Sequence, residues 1–213
     1  ISGNTASGNP SGNGGGILCS MSDLTLTNVT ISGNTASDNG GGIYFSYSPS
    51  PTLVNTIVSD NTGNYGIYVG SGTPSITYSD LYNNEDGNCY GCGDWVGVNV
   101  MTNANGDSCD LYYNIQEDPL FVDPDNGDYT LQATSPCIDA GDPASELDPD
   151  GTVADMGAFY FDQGHIPPFI LGCTDPEACN YNAMATDGDG SCTFVDGICE
   201  TCEDGAIVDN DAD

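Results

Sequence analysis

Oxygen ligands suited to a hard cation recur along the second half of this sequence. Asp123, Asp125 and Asp128 stand with Asn126 beside Gly127; Asp187 and Asp189 occupy a DGDG run; Asp209, Asp211 and Asp213 alternate at the C-terminal end. Calcium takes several carboxylate and carbonyl oxygens from closely spaced residues, with glycine where the chain turns sharply. These residues are therefore the candidate metal ligands, and calcium is the expected cofactor. The same letters have a plainer reading. Asp123 to Asp128 also make a good hairpin turn, Asp148 and Asp150 before Gly151 form a weaker set, and the last run resembles only the first half of a calcium loop.

Cysteine is the second reactive type. Of ten cysteines, Cys19 stands apart, and Cys89, Cys92, Cys109, Cys137, Cys173, Cys179, Cys192, Cys199 and Cys202 follow. An even total points to disulfides formed in an oxidising compartment, with connectivity left open. The pairs NCYGC and ICETC also have the spacing of zinc knuckles, but they lie far apart among hard carboxylates. The charge balance is extreme: 32 Asp and Glu, no Lys or Arg, and a formal charge of −32 over 213 residues. An average chain of this length carries roughly 25 basic residues. Carboxylate repulsion must be relieved by salt or bound cations; nucleic acid and anionic membrane surfaces are poor partners, so no nucleic acid and no membrane insertion are expected. Only Asp23, Asp38 and Asp60 precede residue 80. No run is long and apolar enough to span a membrane, and neither an initiator Met nor a signal peptide stands at Ile1, so the sequence reads as a processed product or part of something longer.

The elements that position these residues follow from a repeat. LTNVTISGNT at Leu26 to Thr35 returns as LVNTIVSDNT at Leu53 to Thr62 and as ITYSDLYNN at Ile76 to Asn84, while ISGNTAS at Ile1 to Ser7 recurs at Ile31 to Ser37. Asn4, Asn34, Asn61 and Asn84 close successive copies. GGGIL, GGGIY and YGIYV place Ile17, Ile43 and Ile67 in a second register. Short alternating segments at this period predict a solenoid whose rungs stack about 4.8 Å apart. These coils resemble the right-handed parallel β-helix repeats of the pectin-lyase-like superfamily over residues 1–84. The resemblance implies the fold and leaves activity open.

Residues 85–118 read as an insertion held by Cys89, Cys92 and Cys109, with a strand at Val96 to Met101 and Trp95 packed on the solenoid. EDPLFVDPDNGDYTLQATSPCIDAGDP at Glu117 to Pro143, with DMGAFYF at Asp155 to Phe161, resembles the closing segment of bacterial secreted β-helix proteins. That resemblance implies that residues 118–161 continue and cap the solenoid; Tyr160 stands where an acid is usual. Residues 162–171 form a linker holding the single histidine, His165, which reads as a surface residue. GCTDPEACNYNAMATDGDGSC at Gly172 to Cys192 is similar to a cysteine module of secreted marine Bacteroidota proteins, which implies export. The expected fold is all-β: a right-handed parallel β-helix over 1–161 and a small disulfide-rich acidic module over 172–213.

β-Helix enzymes that cleave acidic polysaccharides by elimination use an Arg or Lys base with calcium, and this chain has neither. Hydrolases of that fold align aspartates on adjacent rungs. Here Asp60 aligns with Gly33 and Asn83, and Asp80 with Ile57, so no repeated carboxylate cluster forms and no catalytic residue is expected. Tyr44 and Tyr68 fall in register beside core isoleucines and point outward, with Tyr47, Tyr65, Tyr78 and Tyr82 nearby. Outward aromatics stack on sugars, bury against another subunit or cover the sheet. The expected function is structural: an extracellular fibre subunit or a stalk or adhesin segment, with head-to-tail copies or neighbouring modules as partners. A carbohydrate-binding module or glycan-active enzyme is the alternative.

Overall fold

The computed structural model describes residues 1–8, 11–47, 50–164, 171–182, 185, 187–195, 200–203 and 206–209. They divide into two compact units, Ile1–Gln163 and Gly164–Asp213.

The first unit winds round four parallel sheets. After Ser2, the first rung gives β1 (Thr5–Ala6), β2 (Ile17–Ser20) and β3 (Thr25–Thr27). The second gives β4 (Thr30–Ser32), β5 (Thr35–Asn39), β6 (Ile43–Ser46) and β7 (Thr52–Val54). The third gives β8 (Ile57–Ser59), β9 (Thr62–Asn64), β10 (Ile67–Val69) and β11 (Ser75–Thr77), and β12 (Asp80–Tyr82) and β13 (Cys89–Tyr90) follow. Sheet 1 is β4-β8-β12, sheet 2 β1-β5-β9, sheet 3 β2-β6-β10-β13 and sheet 4 β3-β7-β11. The registers are those of the sequence repeat: Ile17 pairs with Ile43 and Ile67, and Leu26 with Leu53 and Ile76.

Alternation sends every other residue of each strand inward. Ile31, Val58 and Leu81 from sheet 1, Ile43, Phe45 and Ile67 from sheet 3, and Leu53 and Ile76 from sheet 4 meet in one core. A ladder of asparagines stitches the rungs where sheet 1 turns into sheet 2. The backbone N and Nδ2 of Asn34 both donate to Asn61 Oδ1 at 3.0 Å, and those of Asn61 donate to Asn84 Oδ1 at 3.1 and 2.9 Å. Asn4 donates to Asn34 Oδ1 in the same way, and Asn84 to Asn88 Oδ1. Each amide caps carbonyls that the bend frees from the sheet, which lets a polar residue be buried without penalty. The corners themselves need left-handed backbone: Gly33, Asp60 and Asn83 stand in one column at φ 65°, 55° and 47°. Gly, Asn and Asp adopt that conformation most readily.

The insertion differs from its expected form. Residues 95–98 make a turn in which Val98 N donates to Trp95 O, and after β13 the strands are β14 (Met101–Thr102) and β15 (Ser108–Cys109), paired antiparallel. Val96, not Trp95, packs against the core, and Trp95 is half exposed. Val96 joins Cys92, which is linked to Cys89 of β13, in that apolar core.

The closing segment carries β16 (Phe121–Asp123), a 3-10 turn (Pro124–Asn126) and β17 (Asp128–Leu131), an antiparallel hairpin reversed at Gly127 with φ 83°. Ile115, just before it, extends sheet 1 by a bridge to Asp80. From there the chain lies along the side of the solenoid. Ala158 N donates to Thr30 Oγ1, Gly157 N to Asn55 O, and Cys137 sits against Asp80, so the outward residues Thr30, Ile57 and Asp80 of sheet 1 are all buried. The segment expected as an end cap thus covers a flank, because Phe121, Leu131, Cys137 and Met156 find their apolar partner in Ile57.

In the second unit, β18 (Leu171–Gly172) pairs parallel with β19 (Asp187–Gly188), and β20 (Glu200–Glu203) pairs antiparallel with β21 (Ala206–Asp209). Disulfides Cys173–Cys192 and Cys179–Cys202 hold it. Among the described residues of this unit the buried apolar side chains are Cys173 and Ala178, so covalent links do much of the work of a core there.

Candidate functional site: a stacked tyrosine face

Sheet 3 carries the site. Its inward residues are apolar, and its outward column reads Leu18, Tyr44, Tyr68 and Tyr90 in register. Parallel pairing sets these side chains directly above one another, and the rings stack. Tyr44 and Tyr68 have centroids 5.6 Å apart with planes inclined by 29°, and Tyr68 and Tyr90 lie 4.6 Å apart at 19°. Tyr65 leans in from the adjoining corner, 6.3 Å from Tyr68 and 5.3 Å from Tyr90. Offset aromatic pairs of this kind add about 0.5–1.5 kcal/mol each beyond burial. Partial burial together with Tyr90, Tyr44 and Asp38 raises the Tyr68 phenol pKa. Tyr90 ends the stack and is 48% exposed.

Sequence reasoning placed Tyr44 and Tyr68 correctly and passed over Tyr90. A signal was there, because Cys89-Tyr90-Gly91 repeats the Ile67-Tyr68-Val69 pattern one rung on. Tyr47 is strongly exposed and Tyr82 has no ring partner among the described residues. Tyr78 belongs elsewhere: it stacks on Tyr113 at 4.8 Å, beside a small concavity lined by Asn103, Asp139, Gly141 and Pro143.

The acidic candidates are spread along the chain. Asp123, Asp125, Asn126 and Asp128 lie on the hairpin turn, where Asn126 Nδ2 donates to Asp123 Oδ2 and Thr130 holds Asp128 Oδ1 through both N and Oγ1. That leaves one oxygen of Asp123 and one of Asp128 open to a cation. Asp189 accepts from Ser191 N, Asp187 and Asp209 lie on strands, and Asp211, Asp213 and His165 fall outside the described residues. Among the described residues no three His, Cys, Asp or Glu side chains converge in metal-holding geometry.

Two cysteine expectations are corrected. Cys109 and Cys137 are free and fully buried, packed with Ile57, Ile115 and Met156 under the closing segment. Apolar surroundings raise both thiol pKa values, most strongly at Cys137, which donates its S–H to Asp80 Oδ2 at 3.7 Å. Asp80, whose Oδ1 accepts from Glu117 N, is itself fully buried, and desolvation pushes its pKa well up. Cys19 is also outside any disulfide, and Cys199 lies outside the described residues. The NCYGC pair forms the Cys89–Cys92 disulfide, which removes the zinc reading there.

The family model described as "Right handed beta helix region" matches residues 1–116. No curated protein and no solved structure matches the chain.

Proposed function

We propose that this chain, which belongs to the right-handed β-helix family, is an extracellular structural β-solenoid, serving as a fibre subunit or as a stalk or adhesin segment. The observation that carries this reading is the tyrosine face. Three tyrosines are held by parallel pairing on an outer surface, with Tyr65 packed against them from the corner, and a rigid aromatic strip of this kind favours contact with another surface. The surrounding shaft supports it, because the asparagine ladder and the inward isoleucines satisfy the rungs internally. Disulfides fit an oxidising compartment. Among the described residues no helix is long and apolar enough to cross a membrane. Calcium at the Asp123–Asp128 turn belongs to the same proposal. The test is electron microscopy of the purified chain in millimolar calcium, beside a Tyr68→Ala/Tyr90→Ala variant. Filaments or end-joined rods that disappear in the variant support the reading, and uniform monomers for both remove the fibre form.

Sugar stacking is a second reading, favoured by the half-exposed terminal ring of Tyr90. Glycan-array binding lost in Tyr90→Ala would select it.

A further inference from the structure

We propose that the outer face of sheet 4 binds ice. Its strands read Thr25-Leu26-Thr27, Thr52-Leu53-Val54 and Ser75-Ile76-Thr77. Leu26, Leu53 and Ile76 turn into the core. The outward residues form two ranks in register: Thr25, Thr52 and Ser75 in one, Thr27, Val54 and Thr77 in the other. Neighbouring strands set one repeat of about 4.8 Å, and alternate residues along a strand set the other at about 6.6 Å. The first lies close to the shorter oxygen repeat of the prism face of hexagonal ice and the second somewhat below the longer one, so water held over one strand continues over the next.

Four properties single out this face. No described side chain donates to or accepts from the hydroxyls of Thr25, Thr27, Thr52, Ser75 or Thr77, so all five are available to water. The two ranks carry no charge, although the chain carries 32 acidic residues. Charge decides the occupant, because an ionised group keeps its own hydration shell and disrupts a lattice, whereas a neutral hydroxyl and methyl array complements a neutral hydroxyl-bearing solid. No aromatic ring lies in the ranks, which disfavours stacking on a crystalline sugar. The backbone beneath is fixed: Thr52 N donates to Leu24 O and Ser75 N to Pro51 O, each at 2.8 Å, and Asn55 Nδ2 bonds Asn28 Oδ1 at the adjoining corner. A surface already ordered loses little freedom on binding an ordered solid. Branched threonine side chains keep few rotamers in a strand, which holds each methyl and hydroxyl in place.

The experiment uses the full chain cooled slowly around a single ice crystal, with recrystallisation of a frozen slurry as a second readout. Faceted crystals and arrested recrystallisation are expected. Thr52→Tyr lifts a ring from the middle of the face and should abolish both effects. Ser20→Tyr, on the exposed end of a sheet 3 strand, should leave both unchanged. Circular dichroism melts establish that each preparation is folded, and Thr27→Tyr on the outer rung replaces Thr52→Tyr if that variant does not fold. Round, freely growing crystals with the folded chain overturn the proposal, as does faceting that survives a folded Thr52→Tyr or Thr27→Tyr variant. The tyrosine face lies on another sheet, so either result leaves the structural reading to its own test.

Discussion

Asp80 holds, on the last rung of sheet 1, the outward position that Ile57 holds one rung earlier. Covered by Cys137 and the closing segment, it has one weak sulfur donor and one backbone N–H, too little to stabilise a buried charge. Its folded pKa therefore lies well above the unfolded value near 4, and burial with Asp148 and Asp139 nearby raises Asp155 to about 6. An acid with a raised folded pKa binds its proton more tightly when folded. Its stabilising contribution is complete below about pH 4 and is lost as pH rises through the folded value. Asp80→Asn should raise the melting temperature at pH 8, worth at least about 1 kcal/mol, and change it little at pH 4. An unaltered pH profile from scanning calorimetry would show that Asp80 is not the titrating group. The opposite sign is expected at Asn61, which donates to Asn84 and to Ile31 O while accepting from Asn34. Asn61→Ala leaves several buried groups unpaired and should cost roughly 2–4 kcal/mol in urea unfolding.

At the scale of elements, glycine marks where one rung presses on the next. A Cβ at Gly41 would lie 2.7 Å from Thr62 O, a backbone atom that cannot swing away, whereas at Gly8 the nearest atom is Ser11 O at 3.7 Å. Gly41→Ala should therefore destabilise the solenoid by about 1–3 kcal/mol. Gly8→Ala should stay within about 0.5 kcal/mol. Comparable midpoints for the two variants in chemical denaturation would mean that the rung spacing is more compliant than the ladder of hydrogen bonds implies. Sheet 3 shows the functional side of the same constraint. Because β10 cannot slip against β6 without exposing Ile67, Tyr68 cannot leave Tyr44.

For the whole molecule, charge sets the terms. With a formal charge of −32 and no Lys or Arg, the carboxylates repel almost without internal counterions, so salt should stabilise. Screening shortens from about 10 Å at 0.1 M to about 3 Å at 1 M. Melting temperature is expected to climb with sodium chloride. Calcium should raise it further than sodium chloride of equal ionic strength, an increment that chelator removes. Coincident melts at matched ionic strength would take specific calcium binding out of the account.

The rung registers, the asparagine ladder and the pairing of Tyr44 with Tyr68 were legible in the sequence, because a parallel solenoid turns repeats into contacts: Leu26, Leu53 and Ile76 meet for the reason that they recur. The alignment of Asp80 with Ile57 was legible too, but its burial was not. That depended on residues 118–161 folding over sheet 1, a non-repeating contact between Cys137, Met156 and Ile57 that no periodicity encodes. The same contact took Cys109 and Cys137 into an apolar layer instead of disulfides. Sequence alone determined what stacks along the axis, where each residue's neighbour is its own repeat. Only tertiary structure decided what covers the flanks, where shape and apolar area choose partners far apart in the chain.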